Sequence, residues 1–188
     1  IDTTAKDKFM GAYTQIRANF INVFRSLFSE EDNCDLVLSD AQNPLEAEIS
    51  IVAQPKGKRP LSINQLSGGE KTLTATALLF GIYLLKPAPF CIFDEVDAGI
   101  GGAVAEIVGH KLHELAAQAQ VLCVTHLPQV AAQGDHHYAI HKEIKAGQTY
   151  TRVTALKDKS RVSEIARMLG GKTITAATEA LAKDLLKP

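Results

Sequence analysis

Cysteine is scarce in this chain of 188 residues. Cys34, Cys91 and Cys123 are odd in number and far apart, which excludes a disulfide framework as the main stabiliser and fits a reducing compartment. An excess of either charge is also missing. Twenty Lys and Arg against 21 Asp and Glu leave a formal net charge of −1. Bulk charge therefore does not mark a nucleic-acid binder, and any such contact has to come from a local patch or a partner chain. No apolar run is long enough to span a bilayer, so no membrane partner is expected. The start, Ile1-Asp2-Thr3-Thr4, lacks the basic-then-apolar order of a secretory signal, and a cytoplasmic protein is the expectation. Ile1 stands where an initiator Met would, so the chain is expected to begin inside a longer protein. No phosphate-cradling G-x-x-x-x-G-K-S/T loop occurs; Gly171-Lys172-Thr173 imitates its end, but Ala166 occupies the place of the first glycine.

What is present is an ordinary globular balance, 46% hydrophobic and 22% charged, enough for one packed domain or at most two small ones. From Lys6 to Phe28 apolar residues recur in steps of three and four, which predicts a long amphipathic helix. Leu36 to Leu38 and Ile49 to Ile51 read as strands, and Gln54 to Asn64, with Pro55, Gly57 and Pro60, as a loop. Thr72 to Leu85 is apolar almost all round and predicts a buried helix. Phe90 to Phe93 and Val121 to Val124 read as buried strands flanking a helix over Ala103 to Ala117, a right-handed βαβ unit with a parallel sheet. A strand pair over His137 to Ile144 and Thr149 to Leu156 follows, then helices over Ser160 to Leu169 and Thr175 to Leu186.

Three places can carry chemistry. Leu66-Ser67-Gly68-Gly69-Glu70-Lys71 has Ser67 and Glu70 at capping-box spacing, and the same helix start, bare at Gly68 and Gly69, is an anion site. Phe90 to Phe93 runs into Asp94-Glu95. Adjacent carboxylates are costly inside a sheet, and ligands sit at the carboxyl ends of parallel strands. Asp94 is placed to hold magnesium and Glu95 to polarise a water. Val121 to Val124 ends in Thr125-His126, which sets His126 at the same kind of edge. Other groups are weaker. His110 and His113 share a helix face but are read as solvated. Cys91 and Cys123 are read as inert core thiols. Lys56, Lys58 and Arg59 form a small basic loop read as solvated.

Together these motifs resemble the C-terminal lobe of an ABC-type ATPase head of the SMC/RecN branch. Leu66 to Lys71 is similar to the signature motif, Phe90 to Glu95 to the Walker B strand, Val96-Asp97-Ala98 to the D-loop and His126 to the switch histidine. The resemblance implies an α/β fold with a parallel-sheet core, flanking helices and additional antiparallel strands. Residues 1–98 resemble a bacterial SMC protein, carried by Phe20 to Phe24, Asn43 to Ala47 and Gln65 to Leu79. From about Phe93 to 188 the chain resembles the repair protein RecN, carried by the strings Asp94 to Ile100 and Val124 to Ala131, and the expected division into segments is 1–98 and 99–188. A hybrid of the two, forming a single lobe, is expected.

In this family the phosphate loop comes from an N-terminal lobe, and two heads sandwich ATP. The resemblance then implies that Ser67, Gly68, Gly69 and Glu70, with Asp97, contribute to nucleotide binding across the dimer. Asp94 supports Mg2+, Glu95 positions water and His126 senses the γ-phosphate. It implies as partners an N-terminal lobe carrying Walker A, a second head, a kleisin subunit, and DNA through a nucleoid-associated parent. Half a site positions little, so no tight ATP binding and no hydrolysis is expected of this chain alone. Two other readings stay open: an engineered chimeric scaffold without activity, and a regulatory partner that supplies its signature motif to another head.

Overall fold

The computed structural model of the chain describes residues 2–55, 59, 61–94, 96, 97, 99–145, 147–171 and 173–187, without the side chains of Asp2 and Leu61. Contacts group the chain into two compact units, 1–124 and 125–188.

The first unit opens with α1 (Asp2–Leu27), the helix that the apolar steps predict. Its C-terminal half buries Phe20, Val23, Phe24 and Leu27, while residues 3–8 are exposed. Phe24 meets Phe20 edge-on at 6.1 Å between ring centroids and stacks on Phe28 at 4.2 Å. Helix α2 (Gly68–Leu85) packs on this face. Gly81 sets how near it comes: a Cβ there would lie 3.0 Å from Phe20 N and 3.2 Å from Phe20 Cα. Asn19 Nδ2 donates to Gly81 O at 3.2 Å across the same contact.

Strands β1 (Asn33–Leu38), β2 (Ile49–Gln54) and β3 (Leu61–Ser62) form an antiparallel sheet in that order. The Arg17 guanidinium grips the Asp35 carboxylate through two bonds, Nη2 to Oδ2 at 2.7 Å, and Tyr13 Oη donates to Leu36 O. These ties dock β1 on α1. The hydrogen bonds with Arg17 hold the Asp35 carboxyl below its usual range. Strand β3 and a 3-10 turn over Ile63–Gln65 fall where the sequence reads as loop. The pairing of Ala53 with Leu61 creates β3, and no local pattern announces it. Lys56 and Lys58 of the basic loop lie outside the described residues; Arg59 is exposed.

The predicted βαβ unit is β4 (Phe90–Asp94), α3 (Gly102–Ala116) and β5 (Gln120–Val124), with β4 and β5 parallel from Phe90↔Gln120 to Asp94↔Val124. The seam expected near residue 98 lies inside this unit, and β4 before it pairs along its whole length with β5 after it. On one face Cys91 and Phe93 of β4 are buried, while Val121 and Cys123 of β5 are only half-buried. Phe93 packs on Phe80 and Tyr83 of α2 at 5.8 and 5.9 Å. The other face is bare: Ile92 is 65% exposed and Leu122 47%, beside Phe90 and Val124. The expectation that both strands are buried is corrected to this extent. Helix α2 likewise exposes Leu79, Ile82 and Leu84 rather than being covered all round.

The second unit holds α4 (Pro128–Ala132), the antiparallel hairpin β6 (His137–Lys145) and β7 (Gln148–Leu156), then α5 (Asp158–Gly170) and α6 (Ala176–Leu185). Ala132, Ile165, Ala166 and Ala182 are its buried centre, with Val162, Leu169 and Leu185 against them. Helix α4 is absent from the sequence reading, although Pro128 at its first turn is a start signal. Gly171, at φ +70, stops α5, as the Gly170-Gly171 pair predicts. Arg161 Nη2 donates to Ala132 O at 2.9 Å and to Gly134 O, which fastens α5 to the loop after α4.

Two outcomes follow from this packing. Gly81→Ala should lower stability by about 1–3 kcal/mol through overpacking against the α1 backbone, despite the better helix propensity of alanine. A raised urea midpoint would show that α1 retreats freely. The second concerns His137. Burial pushes its imidazole below the ordinary value of 6.5, the Arg161 charge adds to this, and Glu164 opposes it. The unfolded chain takes up this proton as pH falls through 6.5 while the folded chain does not. The stability contributed is thus present above pH 6.5 and is lost as pH falls below it. His137→Gln should flatten the urea midpoint over about pH 7 to about pH 5; an unchanged slope would assign it to other groups.

Candidate functional site

Helix α2 begins with a formed capping box. Ser67 N and Ser67 Oγ donate to Glu70 Oε2 at 3.0 and 2.8 Å, and Glu70 N donates back to Ser67 Oγ at 3.4 Å. Lys71 N closes the first helical turn on Ser67 O at 2.8 Å. The amides of Gly68 and Gly69 precede that ladder and belong to the helix's unsatisfied positive end. Among the described residues, no atom beyond its chain neighbours and its own helix backbone lies within 4 Å of where a Gly68 Cβ would be, so side chains leave this helix end open. A Cβ on Gly69 would sit 3.4 Å from Gly99 O. That proximity brings the start of α2 against the loop that follows β4, a juxtaposition no sequence spacing reveals.

Asp94 closes β4 with its residue exposed. Asp97 is fully buried three residues on, in a turn where Ile100 N donates to Asp97 O at 3.3 Å. Gly99, at φ +78, takes a left-handed conformation that other residues adopt only with strain. Glu95 and Ala98 lie outside the described residues. Burial pushes the Cys123 thiol of β5 up to about 11, with the charges of Asp97 and Asp94 adding to the rise. Those two acids therefore lie near the same end of the sheet, and Cys123 is half-buried rather than the core thiol expected. Cys91 is buried, as read. Burial likewise pushes Cys34 up to about 12.

The chain thus gathers Ser67, Gly68, Gly69 and Glu70 beside the loop of Asp97 and Gly99 within the first unit. His126 belongs to the second unit. It is exposed, in the bend before α4, where Leu127 N donates to Thr125 Oγ1 at 2.9 Å. Among the described residues, no cluster of three or more His, Cys, Asp and Glu side chains is arranged for a metal. Asp94 carries an exposed carboxylate, a hard oxygen donor. This suits Mg2+, which takes one or two carboxylates and completes its shell with phosphates and water. The sequence reading missed that one face of β4–β5 is bare. Its signal was there: strands that are apolar without alternation ask for cover on both sides.

Comparison with known proteins agrees with this architecture. The family description "RecF/RecN/SMC N terminal domain" matches residues 7–149, across the expected seam. The chain is 46% identical over 144 residues to the chromosome partition protein Smc of Chlorobaculum tepidum, covering 76% of this chain and 12% of that one. It is 44% identical over 146 residues to the DNA repair protein RecN of Xylella fastidiosa, covering 77% and 26%. Each alignment is longer than either expected segment, and the chain spans only 12% and 26% of these two relatives. Among solved structures, the Smc head domain with coiled coil and joint from Pyrococcus yayanosii superposes with a TM-score of 0.79 at 30% identity, over 87% of this chain and 31% of that one. A chain from work on ATP-driven dimerization and DNA-stimulated activation of SMC ATPases gives 0.71 at 29%, over 89% of this chain and 99% of that one. A Pyrococcus furiosus Smc head bound to the C-terminal domain of ScpA gives 0.73 at 31%, over 81% and 38%. The chain belongs to the RecF/RecN/SMC family and is part of its ATPase head region.

Proposed function

We propose that this chain is the C-terminal lobe of an SMC/RecN-type head and supplies half of an ATP-hydrolysing site. The bare face of β4–β5 supports the reading. A two-stranded parallel sheet with apolar residues on both sides is not a self-sufficient element, and exposed apolar patches mark surfaces built to be covered. An N-terminal lobe carrying the phosphate loop is the proposed cover.

In the completed head, the amides of Gly68 and Gly69 and the Ser67 hydroxyl meet the γ-phosphate of a nucleotide held by a second head. The helix dipole aids them there. Asp94 offers an oxygen to Mg2+, which supplies charge neutralisation on the phosphates. Glu95 orients and deprotonates the attacking water, Asp97 holds the loop between β4 and α3, and His126 approaches the γ-phosphate. Phosphoryl transfer relies on such positioning and charge, so the separated lobe is proposed to be inactive. A kleisin, as in the ScpA-bound head, and DNA are proposed as partners of the assembly. A cytoplasmic, nucleoid-associated setting completes the proposal, as does an SMC-like segment joined to a RecN-like one within a single lobe.

The test mixes the chain with the N-terminal lobe of a matching head. Hydrolysis of Mg-ATP should be absent from the chain alone, appear on mixing, and fall at least about a hundredfold with Glu95→Gln. Ile92→Asp should leave the free chain folded yet prevent complementation. Turnover by the chain alone, or full complementation by the Ile92 variant, would sink the reading. Ser67→Ala should separately cost about 1 kcal/mol of stability through the lost cap, read as a lower urea midpoint.

A further inference from the structure

The near-zero net charge conceals two oppositely charged units. Residues 125–188 carry ten Lys and Arg against six Asp and Glu, together with four of the six histidines. Residues 1–124 carry ten against fifteen. With neutral histidines, a unit of +4 is joined to one of −5, and asymmetry of this kind between parts of a chain points to a polyanionic partner.

The hairpin shows where such a partner would touch. Strand alternation divides β6–β7 into two unlike faces. Tyr138, Ile140, Ile144 and Val153 line one, all more than half exposed, with the exposed Lys142 among them. The register places His141 opposite Arg152, Glu143 opposite Tyr150 and Lys145 opposite Gln148 on the other. The side chains of Lys145 and Arg152 are 64% and 63% exposed, and Glu143 lies between them, 3.0 Å from Lys145 Nζ and 3.5 Å from Arg152 Nε. Exposed pairs of this kind are worth only about 0–1 kcal/mol. Glu143 thus aligns the two cations without holding them against a phosphate. Tyr150, about half exposed, adds an aromatic hydroxyl to the same face.

We propose that the polar face of the β6–β7 hairpin, through His141, Lys145, Tyr150 and Arg152, contacts the phosphate backbone of duplex DNA. The proposal rests on the reading above, in which the chain is part of a DNA-associated head, and assigns that contact to the basic second unit. Contacts of this type carry no base readout and are strongly salt-dependent, because each neutralised phosphate releases counterions.

The test uses the full chain and a fluorescein-labelled DNA duplex of mixed sequence, with anisotropy followed through a salt titration. The double change Lys145→Gln with Arg152→Gln should weaken binding about tenfold and reduce the slope of log affinity against log salt by about two. Arg152→Gln alone should reduce it by about one, which keeps the test valid if the double variant unfolds. Lys8→Gln with Lys86→Gln, in the acidic unit, should change neither quantity. Equal losses from both pairs, absent duplex binding, or preference for anionic lipid vesicles over duplex would each overturn the proposal. ATP hydrolysis by the complemented head, measured without DNA, separates the two ideas. If the hairpin variant hydrolyses normally while the duplex never binds the hairpin, only the DNA contact falls. If the unaltered head never hydrolyses, the head reading falls by itself.

Discussion

A parallel strand pair has two faces to cover, and this chain covers one. Parallel sheets persist where both faces are packed, because their strands are apolar throughout. Helix α2 does this on the side of Cys91 and Phe93, where Phe80 and Tyr83 close on the Phe93 ring. No described residue of the first unit does it for Ile92 and Leu122, and the strip of Leu79 and Ile82 on α2 is similarly uncovered. Fully burying a side chain of this size is worth about 1.5–3 kcal/mol. A cover for the face would therefore bring a substantial driving force, and would arrive at the sheet whose carboxyl end carries Asp94.

The chemistry is arranged around that sheet by short-range geometry. The capping box of Ser67 and Glu70 satisfies part of the α2 start and leaves the glycine amides before it open. Gly69 approaches Gly99, which brings this helix end beside the loop of Asp97. One local arrangement thus serves two purposes. It begins a helix, and it holds an anion-attracting helix end next to the acids at the sheet edge. The stability of the cap and the chemistry of the site rest on the same few atoms, which is why changes there need a stability measurement beside any activity.

Much of this was legible in the chain. The apolar steps of α1, the βαβ unit, the hairpin and the Gly170-Gly171 break follow from periodicity and turn chemistry. Ser67 to Lys71, Asp94 and His126 stand out because polar groups interrupt apolar patterns. What escaped has a physical reason in each case. Strand β3 exists only because β2 offers it an edge. Helix α4 is too short to show a period. The exposure of Ile92 depends on what is packed above it. Burial was read from composition, and composition reports what a strand requires, which is more than this chain provides.

Sequence by itself determined the element types, the family and the residues that carry polar chemistry, since these depend on local pattern and side-chain identity. Tertiary structure decided three other things. It decided which faces stay bare, because cover is supplied by neighbours distant in sequence. It brought Gly69 to Gly99, because α2 and the loop after β4 meet only when packed. It also divided a chain of net charge −1 into an acidic unit and a basic one, because the bounds of the units follow from contacts, which a sum along the chain ignores.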